Sequence, residues 1–144
     1  MDGEYKSLSV SAKGHVWAVD LTDRIWWRKG SKKESATGSG WKCIAGTLSK
    51  VYAGPAGVWG LDTKNQVMFR DGTQEDPDDT DGSGWSSVDG KFIAIAVGDG
   101  VVWGLGANRD FFFRSEDYII YSYRTVPALM HEKYLESRGS SKRQ

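Results

Sequence analysis

One pattern occurs three times in this chain. Each copy has a tryptophan flanked by small and apolar residues, then a polar turn, then an apolar run that ends in arginine. The tryptophans are Trp17, Trp59 and Trp103, and the arginines are Arg28, Arg70 and Arg114. Both sets are spaced by 42 and then by 44 residues. A fixed period in the forties is typical of arrays of small supersecondary units, so the repeat constrains the fold more than any single residue does.

The runs between the turns have the length and composition of β-strands. In the second copy they cover residues 41–44, 50–53, 57–61 and 66–70, and Gly, Pro, Asn or Asp punctuates the gaps. Four short antiparallel strands in a unit of this length are typical of a propeller blade. We therefore predict an all-β fold, a partial β-propeller of about three four-stranded antiparallel blades.

The repeat also predicts boundaries. We place the propeller in residues 1–124, with blades at 7–29, 41–70 and 85–114. The first blade is expected to be incomplete, because nothing before it matches the strand that starts at Trp41 or Trp85. A possible closing strand at 118–124 is expected to supply the missing strand, in the same chain or in a neighbouring one. Residues 125–144 are predicted to form a short helix or a disordered tail.

Composition and charge exclude several classes of function. The 144 residues carry 19 basic and 19 acidic side chains, which argues against a nucleic-acid partner. A single cysteine, Cys43, allows no intrachain disulfide, and no zinc-binding spacing is present. No apolar stretch is long enough for a transmembrane segment. The start of the sequence lacks the features of a signal peptide, so we expect a cytoplasmic protein, or a secreted one if this chain is a fragment of a longer precursor.

A longer signature resembles the tectonin repeat. It reads Trp-x-x-Ile/Val-x-Gly-x-Leu/Phe, followed by a strand, a glycine, Val-Trp-Gly-Leu and an aromatic residue before arginine. One copy runs from Trp41 to Arg70 and the next from Trp85 to Arg114. The resemblance covers roughly residues 7 to 114.

This resemblance implies a function in binding. Similar proteins are β-propellers, commonly six-bladed, and many are lectins that bind lipopolysaccharide or cell-surface sugars in innate immunity. The resemblance therefore implies a non-catalytic lectin whose carbohydrate-binding sites lie at the blade junctions. The alternative is an intracellular protein–protein scaffold of the kind used in autophagy and membrane trafficking. Because blades are missing from a complete ring, we also expect self-association into an oligomer.

Three kinds of residue are candidates for ligand contact, and each also has a structural interpretation. Trp41 and Trp85 begin strands beside polar loops, where an aromatic ring either stacks on a sugar or anchors the core. The repeated arginines suit phosphate or carboxylate groups, but they also suit structural ion pairs. Turn residues suit sugar hydroxyl groups, although Asn and Asp are expected in turns for backbone reasons alone. The candidate ligand-binding residues are Trp41, Trp85, Arg28, Arg70, Arg114, Asp62, Asn65 and Asn108.

Catalysis and cofactor binding have little support in the sequence. His15 and His131 lie in unrelated contexts, and no serine or cysteine has the setting of a nucleophile elbow. The acidic segment 74–82 fails the calcium-loop pattern, because its carboxylates do not alternate before the glycine, so we expect it to be a solvated acidic insertion. We therefore expect no enzyme activity, no cofactor and no metal site.

Overall fold

The computed structural model describes residues 4–115 and 120–122, and this part of the chain is all-β. Most strands have four to six residues, and most are separated by tight turns. The strands are β1 (Tyr5–Val10), β2 (Val16–Asp20), β3 (Arg24–Lys29), β4 (Gly40–Thr47), β5 (Lys50–Gly54), β6 (Gly57–Leu61), β7 (Gln66–Asp71), β8 (Gly84–Lys91), β9 (Ala94–Val97), β10 (Val101–Leu105), β11 (Phe111–Ser115) and β12 (Ile120–Ser122).

The strands form three antiparallel sheets in chain order. The sheets contain β1–β4, β5–β8 and β9–β12, and within each sheet every strand pairs with its neighbours in sequence. The first strands of consecutive sheets contact each other, β1 with β5 and β5 with β9. The sheets are therefore blades that meet through their first strands, and the prediction of a partial propeller with three four-stranded blades is confirmed.

The blade boundaries differ from the predicted ones by one strand. β4, which contains Trp41, pairs with β3 and completes the first blade, and β8, which contains Trp85, completes the second. The first blade thus has all four strands. Ile120–Ser122 pairs with β11 and belongs to the third blade, so it does not supply a strand to the first. The predicted helix or tail at 125–144 lies outside the described residues.

Each blade has two faces, because side chains alternate along a strand. We call the face directed toward the preceding blade the front face and the opposite one the rear face. Apolar clusters fill both junctions, which explains why the chain is rich in tryptophan and aliphatic residues. At the first junction the rear face of blade one meets Val51 and Val58 of blade two. At the second, Trp59, Leu61 and Val67 meet Ile95 and Val102 of blade three.

The sequence signature has a packing explanation. Gly60 and Gly104 follow the motif tryptophans, and a Cβ atom on either would lie 2.5 Å from the side chain of Leu48 or Phe92. Leu48 and Phe92 are the apolar residues that link one blade to the next, so the glycines make room for them. Gly46 and Gly90 have φ values of +115° and +131° and lie where the register of the outer strand shifts. Glycine adopts this conformation without strain.

Candidate functional site

The fold separates the predicted ligand residues into two groups at opposite ends of the blades. Since β3 and β7 run from one end to the other, Arg28 and Arg70 lie far from the turns that precede these strands. We call the end with the turns at 21–23, 63–65 and 107–109 the hairpin end. The loop end carries the loops at 11–15, 30–39 and 72–83. Asp62, Asn65 and Asn108 lie at the hairpin end, whereas the arginines and Trp41 and Trp85 lie at the loop end, so they do not form one site.

At the loop end, arginine and tryptophan form a repeated cross-strand pair. Arg28 lies opposite Trp41, and Arg70 lies opposite Trp85. The guanidinium carbons lie 5.3 and 5.2 Å from the centroids of the respective indole rings, which is cation–π distance. Each arginine Nε also donates to a loop carbonyl, at 2.8 Å to Thr37 and at 2.7 Å to Asp81. The sequence repeat therefore encodes a clamp that holds the loop between the third and fourth strands.

The second of these pairs lies inside the junction between blades one and two. Arg70 is 7% exposed, and its guanidinium carbon is 6.0 Å from the ring centroid of Trp17. Trp17 packs edge-on against Trp85 at 6.2 Å, and Trp85 Nε1 donates to the Ala45 carbonyl at 3.1 Å. Burial lowers the pKa of Arg70 below its usual value, the charges of Asp81 and Asp71 oppose this, and the guanidinium stays charged. This pair joins the two blades.

The first pair is more accessible. Arg28 and Trp41 are half-buried, and the ring of Tyr5 stacks on Trp41 at 5.8 Å between centroids. Both belong to the front face of blade one, where the described chain has no preceding blade. Arg114 occupies the equivalent position in blade three, where its backbone partner on β12 is Ile120 in place of tryptophan. The side chain of Arg114 lies outside the described part of the structure.

The hairpin end repeats one turn geometry in all three blades. The backbone N–H groups of Asp23, Asn65 and Arg109 donate to the carbonyl three residues earlier, and these residues have φ values of +65° to +68°. In blade two, Asp62 Oδ1 accepts hydrogen bonds from the backbone N–H groups of Lys64 and Gln66, at 2.8 and 2.9 Å. The carboxylate of Asp62 is therefore used to fix the turn.

The residues exposed at the tips of these turns are not the aspartate that fixes the turn of blade two. Lys64 and Asn65 are exposed at the tip in blade two, and Asn108 and Arg109 are exposed at the same two positions in blade three. Each of these tips thus presents one amide and one cation. In blade one the corresponding residues are Thr22 and Asp23, and Asp23 is paired with Lys6.

The loop end carries a contact that sequence reasoning missed. His15 Nδ1 lies 2.7 Å from Asp76 Oδ1, and Asp76 also accepts from the backbone N–H of Lys13 at 2.9 Å. His15 and Asp76 are both buried, although Asp76 belongs to the acidic segment expected to be solvated. Asp81 pairs with Lys42 at 2.6 Å. Burial raises the pKa of Asp81, but the hydrogen bond from Lys42, a backbone hydrogen bond and the charges of Lys42 and Arg70 together outweigh burial, so the pKa of Asp81 is below its usual value.

The loop end is thus occupied by contacts between blades, because its acidic loop is tied to blade one at two places. A pocket between blades two and three is lined by aliphatic and aromatic residues apart from Asp89. Such a lining offers few hydrogen-bond partners to a sugar. Among the described residues, no group of three or more His, Cys, Asp or Glu side chains is arranged to hold a metal ion.

This arrangement defines a propeller-type protein, and solved structures have the same fold. The chain is similar to human WBSCR16, with a TM-score of 0.62 and 11% identity over 87% of this chain and 40% of that one. It is also similar to YCF48 from Cyanidioschyzon merolae, with a TM-score of 0.57 and 13% identity over 83% and 37%. A structure of Kap60 bound to yeast RCC1 (Prp20) matches at 0.53 and 12% over 77% and 32%. The chain therefore spans less than half of each of these chains.

A family assignment agrees with the signature. The model of the Tectonin domain matches residues 1–126, so the chain belongs to the tectonin family. No curated protein matches the sequence. No helix in the described residues is long and apolar enough to cross a membrane.

Proposed function

We propose that this chain is a non-catalytic lectin that binds phosphate- or carboxylate-bearing glycans, such as lipopolysaccharide, through its hairpin end. The observation that carries this proposal is the repeated pair of an amide and a cation at the tips of two blades. Lys64 and Asn65 form the pair in blade two, and Asn108 and Arg109 form it in blade three.

These side chains have the chemistry that an acidic sugar requires. An amide donates and accepts hydrogen bonds, as a sugar hydroxyl group does, and a lysine or arginine binds a phosphate or carboxylate. Backbone hydrogen bonds and the Asp62 carboxylate already hold the turn of blade two. The side chain of Lys64 is therefore available for a ligand without loss of the turn.

The hairpin end suits the ligand better than the loop end does. The loop end has exposed lysines at positions 29, 32 and 33, but these lie on one blade. Acidic side chains at the loop end are already bound across the junction, Asp76 by His15 and Asp81 by Lys42. In contrast, the two tip positions of the hairpin turn carry one amide and one cation on both adjacent blades, in opposite order.

Recurrence on adjacent blades predicts weak binding at each tip and stronger binding overall. Two tips on one rigid scaffold engage a polymeric glycan together, and the second contact forms at a high effective concentration. We therefore expect binding to a lipopolysaccharide-coated surface to exceed binding to the free monosaccharides by orders of magnitude, roughly a hundredfold or more.

Binding to a glycan array and to lipopolysaccharide surfaces tests the proposal. We expect Lys64→Ala and Arg109→Asn each to weaken binding by roughly tenfold, as loss of one charge-assisted hydrogen bond implies. Asparagine is chosen at 109 because it tolerates the positive φ of this turn. The matched control is Lys33→Ala, which removes the same charge from an exposed residue at the loop end.

Two results would contradict the proposal. Either no glycan surface retains the chain, or Lys33→Ala weakens binding as much as Lys64→Ala does. Absence of any glycan binding would favour the alternative function, a protein–protein scaffold.

A further inference from the structure

A buried histidine at the loop end lies between two carboxylates. His15 is 8% exposed, and its backbone N–H donates to Ser11 Oγ at 3.0 Å. Its ring atom Nδ1 lies 2.7 Å from Asp76 Oδ1, and Nε2 lies 3.4 Å from Asp78 Oδ1. Both carboxylates belong to the acidic loop at 72–83 of blade two, whereas His15 belongs to blade one. Each nitrogen of the ring therefore faces an oxygen of the same loop.

The two contacts make different demands on the protons of the ring. Asp76 Oδ2 accepts from the Lys13 N–H at 2.9 Å, which leaves Oδ1 to accept from the ring. A neutral imidazole has one N–H group and one nitrogen lone pair. When that N–H group donates to Asp76, the lone pair on Nε2 faces the Asp78 carboxylate, which has no hydrogen to donate. Only the imidazolium, with an N–H group on each nitrogen, binds both carboxylates.

We infer that protonation of His15 closes the acidic loop of blade two onto blade one. We call the loop closed when Asp76 and Asp78 lie at the ring, as they do here, and open when they leave it. In the closed loop, a neutral ring is bound through Nδ1 alone. A proton taken from solvent by Nε2 adds an N–H donor toward Asp78 and places a positive charge between the two carboxylates.

The direction of the pH effect follows from these contacts. The added proton favours the closed loop, because only that state holds two carboxylates at the ring. A fall in pH should therefore close the loop, and a rise should open it. Histidine ordinarily changes charge between about pH 5 and 8, whereas aspartate ordinarily stays ionised in this range. A change of pH within this range acts through the ring rather than through the carboxylates.

The histidine is held in place, whereas the loop is strained. Two hydrogen bonds from the segment 30–39 hold the turn before His15, at 2.7 and 3.0 Å to the carbonyls of Gly14 and Lys13. In the acidic loop, three residues other than glycine have positive φ values, which cost energy. They are Glu75, Asp76 and Asp79. Loss of the contacts to the ring therefore releases the loop and leaves the turn that carries His15 in place.

The other charged side chains of these segments do not replace the two partners of the ring. Asp81 of the acidic loop is bound by Lys42 at 2.6 Å. The remaining ones are exposed, and within the described part of the chain none forms an ion pair with His15, Asp76 or Asp78. They are Lys13, Lys32, Lys33, Glu34, Glu75 and Asp79. The pH response is therefore assigned to the ring and the two carboxylates that it faces, and it does not depend on glycan binding at the hairpin end.

Amide hydrogen exchange at about pH 8 and about pH 5.5 tests the inference. Each exchange rate is expressed relative to that of the unfolded chain at the same pH, which gives a protection factor. In the parent chain, we expect residues 74–80 to be protected roughly fivefold more at the lower pH, as one added hydrogen bond implies. The amides of β6, at the centre of blade two, serve as the internal reference for changes in global stability.

Two variants should remove the response. Asp78→Asn leaves an amide that binds a neutral or a protonated ring alike, and His15→Asn leaves an N–H donor for Asp76 that takes up no proton. In both, protection of residues 74–80 should change less than about twofold between the two pH values. Asp79→Asn is the matched control, because it removes an exposed charge next to Asp78, and asparagine tolerates the positive φ at this position. It should keep the response of the parent chain.

Four results would overturn the inference. They are equal protection of the parent loop at both pH values, a response that persists in Asp78→Asn, a response that persists in His15→Asn, which retains His131, and a loss in Asp79→Asn as large as that in Asp78→Asn. Circular dichroism checks that each variant is folded. Because the side chain of Asp78 is 66% exposed, Asp78→Asn decides the outcome even if the buried His15→Asn change prevents folding.

Discussion

Asp20 fixes the hairpin of the first blade through both oxygens of its carboxylate. Oδ1 accepts from the backbone N–H groups of Thr22 and Arg24 and from the Thr22 hydroxyl, at 2.8 to 3.0 Å. Oδ2 accepts from Arg24 Nε at 2.9 Å and from Trp26 Nε1 at 3.0 Å. Burial raises the pKa of Asp20, but the hydrogen bonds from Trp26, Arg24 and Thr22 outweigh it and hold the pKa far below its usual value. The ionised form is therefore strongly preferred in the folded chain.

Asp20→Asn should lower the free energy of unfolding by about 2–3 kcal/mol. The NH2 group of asparagine would replace Oδ2, so the N–H donors of Arg24 and Trp26 would face another donor and lose their acceptor. Asp62→Asn should be nearly neutral, since Oδ1 of Asp62 accepts both hydrogen bonds from the turn and asparagine keeps that acceptor. Urea denaturation of both variants measures the difference. Equal losses of stability in the two variants would contradict this account of the turn.

The stability due to Asp20 also has a defined pH dependence. A carboxyl group whose pKa is lowered by folding stabilises fully above its unfolded pKa, about 3.9, and loses this effect as the pH falls toward its folded value. The difference between the parent and Asp20→Asn should thus be constant from pH 8 to pH 5 and should shrink below about pH 4.

At the scale of elements, the acidic loop at 72–83 is held by the neighbouring blade. Glu75, Asp76 and Asp79 have positive φ values, which cost energy in residues other than glycine. The buried contact between Asp76 and His15, together with the Lys13 N–H, offsets this cost. A loop that reads as a solvated insertion is therefore part of a blade junction.

Asp76→Ala should release this loop while the blades stay folded. We expect amide exchange in residues 74–80 to become at least roughly tenfold faster, since local opening loses about 1.4 kcal/mol or more of stabilisation. Asp78→Ala is the control, because the side chain of Asp78 is 66% exposed and lies 3.4 Å from His15 Nε2. Exchange that is equally fast in both variants would show that the buried contact does not hold the loop.

The sequence predicted local elements better than their grouping. The strand around Trp59 and the turn at 62–65 follow from period-two patterning and turn residues, which are local. Trp41 belongs to blade one because its strand pairs with the strand of Arg28. The sequence could not show this, since a repeated pattern does not mark where each unit begins. The contact of His15 with Asp76 joins two residues outside the repeat, so no periodic signal pointed to it.

At the scale of the whole molecule, repetition explains the proposed function. Equivalent turns present an amide and a cation on blades two and three at one end of the molecule. The sequence predicted the propeller from the repeat. It did not separate the arginines and tryptophans from Asp62, Asn65 and Asn108, because strand direction places them at opposite ends only once the fold is known.

The most direct test of the central claim is a nuclear magnetic resonance titration of the isotope-labelled chain with a soluble phosphorylated oligosaccharide. The claim is that the repeated turns of the hairpin end form the binding surface. We expect backbone amide signals at 63–65 and 107–109 to shift together as the ligand is added, while those at 32–39 stay unchanged. Shifts confined to residues 32–39, or no shifts at millimolar ligand, would contradict it.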